Sequence, residues 1–201
     1  MLQYIAPFVA YLLVPMASSL LGIDPLIGQG AKFLVVGGLL LYFRENYSMK
    51  LKLDPASILS GLAIFALWVG LEGRYPFIEF LGKPEMIPTD MPYLLLRLLT
   101  SILIAPIVEE FFTRFFLNRY LQGTDWEKIP LYKFTMMSFI FTVLFFGFMH
   151  VRWLPGLITA LILNGLLIYT KRIEACIESH FVANLALGLY VILSQNWILW
   201  G

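Results

Sequence analysis

Residues 105–120 read APIVEEFFTRFFLNRY, which sets Glu109, Glu110 and Arg114 in a stretch that is otherwise strongly apolar. Helical geometry sorts the three. Glu110 and Arg114 stand at i,i+4 on one face, acid before base, the order that favours an ion pair. Glu109 is turned about 100° away from Glu110 and has no such partner. Both histidines of the chain sit in comparable surroundings. The run FGFMH puts Phe146 and His150 at i,i+4, and HFVAN does the same for His180 and Asn184.

An ionisable group at the centre of a bilayer costs about 2.5–3.5 kcal/mol on insertion scales. Three in one apolar helix must therefore be compensated by pairing, by water or by function. A structural ion pair accounts for Glu110 and Arg114 and leaves Glu109 over. A carboxylate in apolar surroundings holds a proton more readily than one in water, so Glu109 has the character of a general base for a water shared with His150. His180 and the amide of Asn184 offer donors to a developing oxyanion. Together these are the parts of a peptide hydrolysis that forms no covalent intermediate. A single buried histidine is more often structural than catalytic. Two of them, with an unpartnered Glu and an Asn on three helices, weigh towards function.

The elements that must hold these residues are apolar throughout. Of the 201 residues, 60% are hydrophobic and 13% charged, with a mean hydropathy of +0.81, whereas soluble domains carry about 25% charged residues. We read an integral membrane protein. Runs of about 17–25 apolar residues are the expected spans, and they fall at 4–21, 27–43, 57–71, 93–119, 132–150, 154–170 and 175–199. The expectation is an all-α, polytopic helical bundle of seven transmembrane helices, bounded by six and eight. It forms one membrane domain over 1–201, with the catalytic residues in a helical core at 93–199. The N-terminal run lacks a basic leader and reads as a retained first span. Pro106 predicts a kink just before the glutamates.

Loop charges set the orientation. Arg44, Lys50, Lys52, Arg119, Lys128, Lys133, Lys171 and Arg172 collect on one side, and Arg74, Lys83 and Arg152 on the other. The first side, with the N-terminus, is expected in the cytoplasm, and the chain in the cell membrane. A net charge of +1 gives no field for nucleic acid. One cysteine, Cys176, excludes an internal disulfide. Arg97 is expected to snorkel to the interface, and Trp153, Trp197 and Trp200 to form an interfacial belt. Asn164 reads as a helix-packing residue. On this topology His180 enters from the cytoplasmic end of its span while His150 lies near the far end of its own, a mismatch of depth.

The three motifs, in this order, resemble those of the CAAX-processing and bacteriocin-processing (CPBP, or Abi) family of glutamate intramembrane proteases. EEFFTR at 109–114 is similar to its EExxxR, FGFMH at 146–150 to its FxxxH, and HFVAN at 180–184 to its HxxxN/D. The resemblance covers about 93–199 and implies an all-helical fold with a catalytic cavity open to water and lipid. It implies Glu109 as the catalytic glutamate, polarising water with His150. His180 and Asn184 then support the oxyanion, and Glu110, Arg114 and Phe146 keep the site's shape. The substrate it implies is a membrane-associated peptide or protein. Eukaryotic members act on lipidated CAAX substrates and many bacterial members on other peptides. No cofactor is expected.

Three other readings compete. Glu109, His150 and His180 could instead bind zinc as a His2Glu site, although no HExxH helix is present. Buried Glu, His and Asn also suit a transporter or proton relay, or an immunity-type scaffold that has lost catalysis. Against transport, the chain shows no inverted repeat.

Overall fold

The fold was obtained as a computed structural model that describes residues 1–82 and 86–200. Lys83 and Pro84 of the 72–92 loop lie outside the described residues. Every expected apolar run forms a helix: α1 Leu2–Leu20, α2 Pro25–Tyr42, α3 Pro55–Leu71, α4 Met91–Tyr120, α5 Met136–Phe148, α6 Trp153–Thr170 and α7 Ile173–Ser194. Among the described residues there is no strand. The chain is a polytopic helical bundle.

Aspartates start three of these helices. Asp24 accepts from the Leu26 amide at 2.9 Å, Asp54 from Ser57 at 3.0 Å and Asp90 from Tyr93 at 3.1 Å, each with a proline in the first turn. The side-chain oxygen satisfies an amide that the helix leaves without a partner, and proline loses nothing there because its position needs no donor.

Five helices, α1, α2, α4, α6 and α7, are long and apolar enough to cross a membrane. The other two are shorter, with 17 residues in α3 and 13 in α5. The expected span at 132–150 loses its first four residues for a local reason. Asn118 and Gln122, at the end of α4, both donate to the Lys133 carbonyl, at 3.0 and 2.8 Å. Thr135 and Ser138 then form a reciprocal capping box that starts α5 at Met136.

Helix α4 runs through the middle, against α1, α2, α5 and α7. It does not break at Pro106. Thr100–Ile104 widens into a π turn immediately ahead of the proline, and Phe111–Leu117 forms a second one after the glutamates. The first absorbs the missing donor and the ring's clash with the preceding turn. The kink expected at this point thus coincides with a change of helical pitch.

Helix α7 packs along α3 with almost no side chain between them. A Cβ on Gly61 would come within 2.5 Å of the Ser179 carbonyl oxygen. Ser60 Oγ bonds Ser179 Oγ at 2.9 Å, and Glu178, buried, accepts from Ser57 Oγ at 2.9 Å and Arg172 Nη2 at 3.3 Å. This clamp fixes the turn of α7 that carries His180.

Candidate active site

The two glutamates take opposite roles, as their 100° separation requires. Glu110, fully buried, points to α7 and to its own helix. Its carboxylate lies 2.9 Å from Arg114 Nη1 and accepts from His180 Nδ1 at 2.9 Å. Arg114 is also fully buried, donates through Nε to Asn164 Oδ1 at 3.2 Å, and lies 4.5 Å over the Phe146 ring. Asn164 passes the chain on to Thr142 Oγ1 at 3.1 Å. A buried ion pair is stable only when its remaining donors and acceptors are met, and Asn164 on α6 meets one of them. The packing role expected for Asn164 is therefore also an electrostatic one.

Glu109 faces the other way and is 9% exposed, with Oε2 buried and without a hydrogen-bond partner. The nearest cationic or polar ring atom is His150 Nε2, 4.0 Å away. His150 Nδ1 stands 2.7 Å from the Phe146 carbonyl. A carbonyl only accepts, so Nδ1 carries the hydrogen, and when the ring is neutral Nε2 presents a lone pair to Glu109. Two acceptors facing each other across 4.0 Å leave a place for a water that donates to both.

A cavity of about 290 Å³ opens on this pair, lined among others by Glu109, His150, His180, Asn184, Trp68 and Arg97. His180 is tied to Glu110 through Nδ1, so its Nε2 is the free nitrogen. Asn184 Nδ2 donates to the Ser101 carbonyl at 2.7 Å, in the π turn of α4, which leaves one amide hydrogen unspent. The structure thus brings together Glu109, Glu110, Arg114, Phe146, His150, His180 and Asn184, all seven residues read from the motifs. His150 and His180, expected at different depths, line one cavity.

Residues 91–186 match the family model of type II CAAX prenyl endopeptidase Rce1-like proteins. This stretch is an Rce1-like domain. All seven motif residues lie inside it. No curated protein and no solved structure matches the chain. The match covers just under half of the chain, which with its apolar helices is similar to membrane proteases of that family.

Several residues around the Rce1-like site escaped the sequence reading. Arg97, expected at the interface, lines the cavity, donating to Tyr93 Oη at 3.2 Å and to the Trp200 carbonyl. Trp200 is buried on Gly188 of α7 and is no part of an interfacial belt. The turn Trp197–Trp200 covers this end of the cavity, so Arg97 finds a carbonyl there in place of water. Glu178 had a readable signal, an acid inside an apolar run two positions before His180. Trp68, edge-on to His150 with ring centroids 5.7 Å apart, had none. Cys176 is fully buried and its thiol donates to the Leu163 carbonyl at 3.3 Å, away from the cavity lining. Among the described residues no three His, Cys, Asp or Glu side chains gather at metal-binding spacing.

Proposed function

We propose that the chain is an intramembrane endopeptidase that hydrolyses a peptide bond in a membrane-associated substrate, with water activated by Glu109. The observation that carries this reading is the buried, unpartnered Glu109 Oε2 4.0 Å from His150 Nε2, on the wall of a cavity. Water between them gives one proton to Glu109 as its oxygen attacks the scissile carbonyl carbon. The new C–O bond forms as the carbonyl π pair moves onto oxygen. His180 donates to that oxyanion through Nε2. Because Nδ1–H is committed to Glu110, this requires a second proton on the ring, beside a Glu110 carboxylate that also pairs with Arg114. The spare amide hydrogen of Asn184 is the second donor. Collapse breaks the C–N bond, and the proton held by Glu109 passes to the departing amine.

Glu110, Arg114 and Phe146 hold the shape of this site and do not touch the reacting atoms. No cofactor enters the scheme. Residues 1–201 act as one membrane domain whose catalytic core is 93–199, in the cell membrane with the N-terminus in the cytoplasm. The family description names a CAAX prenyl endopeptidase, which makes a lipidated C-terminal Cys-aliphatic-aliphatic-X peptide the first substrate to try, beside unmodified peptides.

The test is cleavage of that peptide panel by purified protein in detergent. Cys176→Ser and excess chelator are expected to leave the rate unchanged, while His150→Ala abolishes it. Loss of activity on chelation would mean a zinc site, and loss in Cys176→Ser a thiol mechanism.

A further inference from the structure

Glu109 and His150 also line a second, smaller cavity of about 150 Å³, between α1, α4 and α5. Its walls are largely apolar, from Phe8, Leu12, Phe145 and Met149. Two further polar residues, Tyr11 and Thr113, stand in that wall. Thr113 is fully buried, and its hydroxyl has no hydrogen-bond partner. A buried hydroxyl left unpaired costs free energy, and buried hydroxyls in helices ordinarily satisfy themselves on the carbonyl four residues back, as Thr142 does with Ser138 at 2.8 Å. Thr113 does not. It follows Glu109 by four positions, on the same side of α4, and the π stretch Phe111–Leu117 in which it sits alters the local carbonyl ladder.

Three polar atoms that no protein group satisfies thus border one small chamber: Glu109 Oε2, Thr113 Oγ1 and the lone pair of His150 Nε2. An apolar cavity of this size stays dry, but two to four polar partners make a cavity a water site, with about three hydrogen bonds to each buried water. We propose that the smaller cavity is the water chamber of the site and that Thr113 orients the attacking water, while the larger cavity takes the peptide. The water donates one hydrogen to Glu109 and the other to His150. The Thr113 O–H donates to one of its lone pairs. The remaining lone pair is then the only one free, and it is the one that attacks the scissile carbon. This assignment rests on the Glu109 reading above and adds a residue to it.

Two measurements on Thr113→Val and Thr113→Ser decide it. The first is thermal unfolding in detergent and needs no substrate. If the hydroxyl is bonded to water, Thr113→Val leaves the melting temperature unchanged or lowers it. If the hydroxyl is unpaired, replacing it by an isosteric methyl raises the melting temperature, which overturns the proposal. The second is turnover of a farnesylated, internally quenched CAAX peptide. One lost neutral hydrogen bond to the water predicts about a tenfold fall in kcat for Thr113→Val, with KM unchanged and near-complete recovery in Thr113→Ser. A wild-type kcat in Thr113→Val, or a Thr113→Ser enzyme as slow as Thr113→Val, overturns it. Should Glu109→Gln keep full activity, the general-base reading fails on its own, whatever Thr113 does.

Discussion

At the scale of single residues, the cost of burying charge explains who is paired with whom. Arg114 and Glu110 are both without exposure, and removing one partner of such a pair leaves the other charge uncompensated. We expect Arg114→Met to lose about 3–5 kcal/mol of stability, and Glu110→Gln combined with Arg114→Met to recover much of it. Thermal or denaturant unfolding of the single and double variants measures this; additive losses would show that the two charges do not compensate each other. A second residue carries a pH signature. The Ser57 amide at the start of α3, its hydroxyl and the Arg172 guanidinium hold the Asp54 carboxyl below its ordinary 3.8, against the opposing effect of burial. A depressed carboxyl contributes stability that is complete above its unfolded pKa and fades as pH falls through the folded one. The wild type is therefore expected to lose stability below about pH 4 more steeply than Asp54→Asn. Parallel pH profiles of the two would remove Asp54 from the account.

Among the elements, α4 and the α3–α7 contact do most to position chemistry. Helix α4 spends two π turns, one to pass Pro106 and one beyond the glutamates, and π turns concentrate at functional sites. Neither was legible in the sequence, because a proline in a helical run signals only that the ladder must adjust, not whether it bends or widens. The shortened α5 was hidden for a similar reason. Tyr132 and Phe134 are as apolar as the residues that follow, and only the carbonyl of Lys133 captured by Asn118 and Gln122 peels them off. The seven motif residues were legible because charge in an apolar run is costly wherever it sits. Trp68 and Arg97 were not, since their roles depend on which helices become neighbours. Gly61 belongs at this scale too. A methyl there would meet the Ser179 carbonyl oxygen at 2.5 Å and Val182 Cβ at 2.7 Å, backbone and branch point with little room to yield. Gly61→Ala should cost about 1–3 kcal/mol and, by displacing the turn before His180, lower activity as well. A variant that melts like the wild type would contradict so close a contact.

The whole molecule is arranged around a division of labour between the two faces of one helix. One face of α4 directs Glu110 and Arg114 into a buried, ion-paired network with His180 and Asn164. The other directs Glu109 with His150 into space, at the meeting of two cavities. On the first face Glu110 has Arg114 and His180 at 2.9 Å, whereas on the second Glu109 has only His150, 4.0 Å away. That asymmetry makes adjacent, chemically identical residues unequal and is the ground on which we propose Glu109 as the base. The measurement that bears on it most directly is kcat of Glu109→Gln on a peptide the wild type cleaves, with the melting temperature recorded alongside. Loss of a general base predicts a fall of about 10²–10⁴-fold in a protein that melts normally and binds its peptide with unchanged KM. Turnover at the wild-type rate in Glu109→Gln would contradict the account outright.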